Sequence, residues 1–396
     1  MKREIAEKSG EALDLMGAEE MADPGVSAKR LLAGERIRYY PHFDPPFYIA
    51  SRYADVADIL RQPEVFLSGH GQGPNFVPPV GVVSDAPQHA FFRSLVQEDF
   101  LPRSIAALRP RLQEIADELL NAVADKREWD IHDDLSFPLP VTISCEIFGI
   151  PTGDIAQFKL WSDASVAALS AQDPTPYLAE QERMRSYVLE LLRSKRDSDD
   201  DRLLARIARA RRDGVALRDE EAVGLVLQLF VAGNETTTSL ITNFVWRMLA
   251  NDLWADYCAG AIDTQKAVNE SLRFDPPLLG LFRTTARDVQ IADSLIPAHS
   301  KILTHYGAAN RDPAVFEKPH EFDVHRPTKK VLSFGLGIHV CLGMELARLE
   351  AQVALETLRD RFPRLQLVGD GERIGPFLFW GRRKLPVRTG ARTAAS

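Results

Sequence analysis

A single thiol in a glycine-rich, apolar loop constrains this chain more than any other feature of its sequence. The loop spans residues 334–343, has the sequence Phe-Gly-Leu-Gly-Ile-His-Val-Cys-Leu-Gly, and carries the thiol at Cys341. Apolar residues at helical spacing follow over 344–355, so Cys341 is expected at a loop-to-helix junction. Backbone N–H groups and the positive end of a helix are expected to lower the pKa of this thiol and to favour the thiolate, the form that binds metal. A lone cysteine is otherwise more often a buried structural residue.

Composition excludes several classes of protein. The chain has 396 residues and a net charge of −8, so nucleic acid is not expected as its main partner. The three cysteines, Cys145, Cys258 and Cys341, are too widely spaced for a zinc motif or a disulfide framework, which indicates a reducing compartment. The charged N-terminus is followed by no apolar run long enough for a signal sequence or a bilayer span. We therefore expect a cytoplasmic protein without a membrane anchor.

The longest periodic segment covers residues 219–249 and is apolar nearly all round, which predicts a core helix. Its centre nevertheless holds Gly233, Glu235 and three consecutive threonines, 236–238. Glycine and threonine are poor choices for a helix interior, and a carboxylate is costly in a core. Such a departure in the best-buried helix indicates either function or a plain kink.

Four motifs, in order and at matching distances, together resemble the cytochrome P450 family. The segment 334–343 resembles its haem-ligand loop, and Ala-Gly-Asn-Glu-Thr at 232–236 resembles its oxygen-activation motif. Glu-Ser-Leu-Arg at 270–273 matches its structural Glu-x-x-Arg helix, and Asp-x-Pro-x-His-x-x-x-Arg at 85–93 matches the start of its haem-facing helix. The resemblance covers about residues 35–388. It identifies the chain as a member of the soluble, bacterial type.

The resemblance implies a mainly α fold with a smaller β-rich region. The β-rich region is expected from the N-terminal strands and from segments 283–303 and 374–388. The domain organisation expected is an N-terminal segment, 1–34, a single cytochrome P450 domain, 35–388, and a frayed tail, 389–396. A monomer is expected.

The cofactor implied by the resemblance is haem b, with the Cys341 thiolate as the iron ligand. Thr236 and Glu235 are the implied catalytic residues and help to deliver protons to dioxygen. The haem propionates are expected to contact His89, Arg93, Arg283 and His339. Other cofactor-binding residues implied are Ala232, Gly233, Phe334, Gly335 and Gly343. Glu270, Arg273 and Arg326 are expected to form a structural ion-pair group.

The implied activity is monooxygenation of a small or medium lipophilic substrate. The loop over 67–84 is expected to roof the substrate pocket. The expected lining residues are Phe76, Gln228, Val231, Leu278, Leu279, Leu281, Leu378 and Phe379.

No Gly-rich strand–helix dinucleotide site is found, so electrons must come from another protein. The resemblance implies a ferredoxin and an NAD(P)H-dependent ferredoxin reductase. We expect a basic docking face around Cys341, formed by Arg93, Arg103, Arg109 and Arg348. Val331 departs from the family pattern, because many bacterial members carry histidine there. A peroxide-driven cytochrome P450 and a non-catalytic haem-binding protein are the alternatives.

Overall fold

A 32-residue helix over Asp219–Ala250 is the central element of the fold. The computed structural model describes residues 13–76, 81–153 and 155–390. Ile241, Phe244 and Val245 of the long helix are fully buried in the largest hydrophobic cluster. The core helix predicted over 219–249 is thereby confirmed.

The described residues contain fifteen α-helices and fourteen β-strands. The helices are α1 (Ala18–Ala22), α2 (Pro24–Ala33), α3 (Tyr53–Arg61), α4 (Gln88–Val96), α5 (Pro102–Ala106), α6 (Arg109–Ala122), α7 (Pro138–Phe148), α8 (Ile155–Ser170), α9 (Leu178–Lys195), α10 (Leu203–Arg209), α11 (Asp219–Ala250), α12 (Trp254–Cys258), α13 (Thr264–Phe274), α14 (Tyr306–Ala309) and α15 (Met344–Arg361). The strands are β1 (Ile37–Tyr40), β2 (Phe47–Ala50), β3 (Phe66–Leu67), β4 (Glu128–Asp130), β5 (Arg211–Arg212), β6 (Val215–Ala216), β7 (Leu281–Thr285), β8 (Val289–Ile291), β9 (Ser294–Ile296), β10 (Lys301–Thr304), β11 (Leu365–Leu367), β12 (Glu372–Arg373), β13 (Arg382–Lys384) and β14 (Pro386–Thr389).

Local sequence signals explain where several helices begin and end. Proline occupies the first turn of α5, α6 and α7, where its missing N–H costs no helical hydrogen bond. Asp263 caps α13 by accepting a hydrogen bond of 2.8 Å from the Lys266 amide. Gly149 ends α7 in the left-handed conformation, with φ 79°.

The largest sheet has five strands in the order β1-β2-β10-β7-β3. Strands β2 and β10 pair in parallel, whereas β10 pairs with β7 in an antiparallel register that sets Lys301 opposite Thr284 and Ile302 opposite Arg283. A second sheet has the order β11-β14-β4, and three two-stranded pairs complete the β structure. The fold is therefore mainly α with a smaller β-rich part, as predicted.

The N-terminal and C-terminal segments contribute ordered elements. Leu31 of α2 is buried in the cluster that also contains Phe282 and Leu303 of the main sheet. Thr389 belongs to β14, and the Gly390 amide donates to the carbonyl of Arg364, 3.0 Å away. The predicted tail is otherwise outside the described residues, as are 1–12 of the predicted N-terminal segment, so these domain boundaries stay predictions.

None of the helices in the described ranges has the length and apolar character needed to cross a bilayer.

The predicted ion-pair group is present and buried. Arg273 donates to both carboxylate oxygens of Glu270, at 2.7 and 2.8 Å, and both side chains are fully buried. Arg326 donates to the same carboxylate from 3.3 Å. Two arginines therefore depend on one carboxylate for their counter-charge.

Glu270→Gln should lower the free energy of unfolding by about 3–5 kcal/mol, because it leaves two buried guanidinium groups without a counter-charge. Denaturant titration measures the change. The matched control is Glu128→Gln, which breaks a surface pair with Arg388 at 2.7 Å and should cost less than about 1 kcal/mol. Equal losses in the two variants would contradict a structural role for the buried pair.

Candidate active site

The cysteine loop is shaped by two left-handed glycines. Gly335 has φ 68° and Gly337 has φ 74°, conformations that side chains other than glycine rarely adopt. A Cβ atom on Gly337 would also lie 2.5 Å from the carbonyl oxygen of Leu60, at the end of α3. The Cys341 amide closes the loop by donating to the carbonyl of Phe334, 2.9 Å away. The backbone is thus held in a form that glycine alone permits at these positions.

The environment of the Cys341 thiol differs from the prediction in one respect. Burial raises its pKa, and this effect outweighs a hydrogen bond from the Gly343 amide and the positive charges of Arg93 and Arg348. The predicted lowering of the thiol pKa is therefore wrong for the free thiol. The side chain nevertheless has a large accessible surface. A raised pKa and a large accessible surface occur together when a thiol faces a space enclosed by the protein, and we infer this position for Cys341.

Helix α11 exposes one short stretch of an otherwise buried surface. Ala232 is exposed although it lies in the middle of the helix, and Gly233 and Thr236 are partly buried. The Thr236 hydroxyl donates to the Ala232 carbonyl, 2.8 Å away. Val231 packs against the same hydrophobic cluster as Leu342, the residue after the cysteine. The structure thus brings the exposed stretch of α11 and the cysteine loop to one cluster.

Glu235 lies next to this stretch and is almost completely buried. Its Oε2 atom has no hydrogen-bond partner in the structure. Burial raises its pKa to about 7, and the charge of Asp163 on α8 adds to the increase while Lys159 opposes it. The carboxyl group is therefore partly protonated near neutral pH.

The four side chains predicted to contact propionates lie together. The rings of His89 and His339 have centroids 4.4 Å apart. Burial, followed by the charges of Arg283 and His89, lowers the pKa of His339 to about 3, and Arg93 contributes in the same direction. The Nε2 atoms of both histidines are buried without a hydrogen-bond partner. Basic groups so concentrated favour an anionic ligand.

Arg93 also has a role that the sequence did not predict. Its Nη1 atom donates to the carbonyls of Ile338 and Val340, at 3.3 and 3.0 Å. Arg93 is thus tied to the two residues that flank His339. Arg283 is buried on β7 and donates to the carbonyl of Phe282, 2.9 Å away.

The residues present fit haem b. Its propionates would accept hydrogen bonds from the unpartnered histidine atoms and from the guanidinium groups. Its iron would accept the Cys341 sulfur, and an iron ion removes the proton that burial otherwise retains on a thiol. The small exposed side chain of Ala232 leaves room for a flat group beside α11.

The predicted substrate contacts divide into accessible and buried residues. Gln228 accepts a hydrogen bond from the Val83 amide, 3.2 Å away, through its Oε1 atom. Val231, Leu278 and Leu281 are partly buried, and Phe76 is 50% exposed. Leu279, Leu378 and Phe379 are buried in the structure. Leu279 and Leu378 line a small cavity beside Glu20 and Arg373. Their contact with substrate stays a prediction.

Glu350 and Lys301 are among the buried ionisable residues that the sequence did not predict. Glu350 of α15 is buried, and burial raises its pKa to about 8 while a hydrogen bond with Thr237 opposes the increase. Lys301 of β10 is 1% exposed. The available signal was position, since Glu350 falls on the apolar face of a helix and Lys301 begins a strand that continues with Ile302 and Leu303.

Comparisons with known proteins identify the family of this chain. The sequence model of the family described as Cytochrome P450 matches residues 264–371. Cytochrome P450 107B1 of Saccharopolyspora erythraea is 35% identical over 378 residues, which cover 90% of this chain and 92% of the relative. Erythromycin C-12 hydroxylase of the same organism is 38% identical over 357 residues, 86% of this chain and 88% of the relative. The solved structure of CYP109Q5 from Chondromyces apiculatus matches with a TM-score of 0.84 and 32% identity, covering 96% of this chain and 99% of that chain.

The matches extend over nearly the whole length of these relatives, and the cofactor of the family is haem b held through a thiolate. The motifs, the mainly α fold and the similarity to named hydroxylases support the same assignment. The chain belongs to the cytochrome P450 family of haem-thiolate monooxygenases.

Proposed function

We propose that Cys341 is the haem ligand and that the protein oxidises a small or medium lipophilic molecule. The molecule would be held between α11 and the loop predicted over 67–84, of which residues 77–80 lie outside the described ranges. Bound haem b supplies the activation of O2, from which one oxygen atom enters the substrate. The observation that carries the assignment is the accessible Cys341 thiol beside a cluster of four basic side chains. In this proposal His89, Arg93, Arg283 and His339 bind the propionates.

The loop residues orient the sulfur. The Gly343 amide hydrogen-bonds the Cys341 thiol, and Arg93 fixes the carbonyls of Ile338 and Val340. A fixed backbone keeps the sulfur aimed in one direction. A hydrogen bond to the sulfur also moderates how much charge the thiolate donates.

Thr236 and Glu235 are proposed to hold and move protons. The Thr236 hydroxyl donates its hydrogen to the Ala232 carbonyl, so its oxygen remains able to accept a hydrogen bond from a group above the helix. Glu235, with a pKa of about 7, exchanges a proton readily at neutral pH. Adjacent in sequence, the two groups are suited to pass protons toward dioxygen.

The electron donor is proposed to be a ferredoxin, reduced by an NAD(P)H-dependent ferredoxin reductase. Arg103 and Arg109 are exposed and suit docking of an acidic protein. Arg348 is partly buried over the ring of Phe334, 4.9 Å from its centroid, which links a surface charge to the cysteine loop. The acidic composition without a disulfide framework supports a cytoplasmic protein, which we propose to be a monomer.

The substrate class follows from the side chains around the exposed part of α11. Val231, Leu278 and Leu281 are apolar and partly buried, whereas Gln228 offers an amide. A terpenoid, an aromatic compound or a secondary-metabolite precursor would match this surface. The similarity to a named erythromycin hydroxylase supports the last of these.

The ligand assignment is tested by Cys341→Ala. The reduced wild-type protein with CO should give the red-shifted Soret band of thiolate-ligated haem, and the variant should not, because it lacks the sulfur. Cys258→Ala is the matched control, since Cys258 is a partly buried cysteine on α12 and should leave the band intact. A normal band in Cys341→Ala would refute the assignment.

Thr236→Ala tests the monooxygenase mechanism against the alternatives. With ferredoxin, its reductase and NADH, the variant should lower the product formed per NADH by about tenfold or more, while NADH consumption continues. Thr236→Ser keeps the hydroxyl and should retain most of the product. Unchanged product in Thr236→Ala would contradict the role of Thr236, and faster wild-type turnover with peroxide than with ferredoxin would favour a peroxide-driven enzyme.

The raised pKa of Glu235 predicts that the stability of the protein depends on pH. The pKa of Glu235 is about 7 in the folded protein, whereas a glutamate in the unfolded chain has its ordinary pKa of 4.5. Between pH 4.5 and 7 the folded state therefore binds more protons than the unfolded state. The free energy of unfolding contributed by this group should therefore fall as pH rises from 4.5 to 7. Glu235→Gln should reduce the fall by the equivalent of about one proton, as measured by denaturant titration across that window. Glu128→Gln should leave the slope as in wild type, and equal slopes in wild type and Glu235→Gln would contradict the assignment.

A further inference from the structure

Lys301 is an ammonium group buried inside the main sheet. It lies on β10 opposite Thr284 of β7 and is 1% exposed. It forms no ion pair with a carboxylate of the described residues, and the one charge that acts on it is the like charge of Arg283. Burial, with that charge, lowers its pKa to about 8. Burying a cation in this way is costly, so packing alone does not account for a lysine here.

The residues that contact the Lys301 ammonium group all belong to one loop. The Nζ atom donates to the carbonyls of His70 and Gly71, each 2.9 Å away. The ring of Phe76 covers it, with the centroid 4.8 Å from Nζ. These three residues belong to segment 68–76, here called the roof loop. The carbonyls and the ring face together supply the partial negative charge that a buried cation needs.

The roof loop reaches from the sheet to the end of α8. The Gln72 carbonyl accepts a hydrogen bond from the Phe282 amide, 2.9 Å away on β7. At the other end, the Asn75 side-chain amide donates to the Ala171 carbonyl, 2.8 Å away and just after α8. The roof loop therefore bridges the sheet and the end of α8.

We propose that Lys301 is a positioning residue whose ammonium fixes the roof loop against the sheet and thereby controls how fast substrate leaves the pocket. The proposal rests on the proposed function, in which this loop roofs the substrate pocket. A methionine would fill a similar volume without the cost of a buried charge. The charge of Lys301 thus holds the roof loop in place and lowers the overall stability of the fold.

Lys301→Met in the haem-loaded full chain separates these two effects. Hydrogen exchange at the amides of Gly69 and Gly71 should accelerate about tenfold, because two hydrogen bonds from a charged donor are lost. The Tm should not fall, since an unpaired buried charge is removed with them. Dissociation of 4-phenylimidazole, a probe that binds haem iron through the pocket, should accelerate by about the same tenfold factor in stopped-flow absorbance.

Two further variants sharpen the test. Lys384→Met is the matched control, because Lys384 is half exposed and pairs with Asp133 at the surface, so roof-loop exchange and probe dissociation should match wild type. Asn75→Ala releases the other end of the roof loop and should also accelerate probe dissociation.

Three results would overturn the proposal. One is unchanged exchange in the roof loop of Lys301→Met, and the second is a lower Tm with exchange accelerated throughout the chain. The third is faster roof-loop exchange with wild-type probe kinetics. Hydrogen exchange needs no catalysis, whereas failure of the wild-type protein to bind haem would refute the proposed function instead.

Discussion

The buried pair of Glu270 and Arg273 determines where the cysteine loop starts. Arg273 uses its remaining N–H groups on three backbone carbonyls, those of Asn310, Pro319 and Glu321. The Asn310 side chain then binds the Leu332 amide and the Ser333 hydroxyl, both at 2.8 Å. Ser333 in turn donates to the Leu272 carbonyl on α13. A continuous set of hydrogen bonds thus leads from one ion pair to the residue before Phe334.

The far end of the same loop is held by a different part of the protein. Arg93 on α4 binds the carbonyls that flank His339, and the Gly343 amide meets the sulfur at the start of α15. The loop is therefore fixed from both ends by charged or polar groups. Arg93 and Arg283 concentrate positive charge beside the loop, and in the proposed function the propionates of the cofactor would relieve it. Cofactor binding would then add to the stability of the fold.

Much of the fold could be predicted from the sequence because its strongest signals are long or specific. A periodic, largely apolar segment of about thirty residues left little choice for α11, and the spacing of Glu270 and Arg273 placed both charges on one helical face. The cysteine loop was specific enough to identify the family. These features depend on neighbours in sequence, which a sequence shows directly.

The features that escaped prediction depend on the environment in three dimensions. The pKa of Cys341 moves upward because burial outweighs nearby dipoles, and burial is a property of the whole fold. Lys301 would suit an exposed strand end, yet it is covered by a loop more than two hundred positions earlier in the chain. The bonds from Arg93 to the loop carbonyls depend likewise on how α4 approaches the loop. Position in the chain gave no signal for the Cys341 pKa or the Arg93 bonds, and for Lys301 it gave only the apolar residues that follow it.

The contact between Gly337 and the Leu60 carbonyl has a consequence for biogenesis. Leu60 and Gly337 are far apart in the chain, so the finished cysteine loop requires the end of α3 to lie in place beside it. During synthesis the N-terminal part emerges first and waits for its partner. A chain truncated before the cysteine loop would leave the end of α3 without this neighbour.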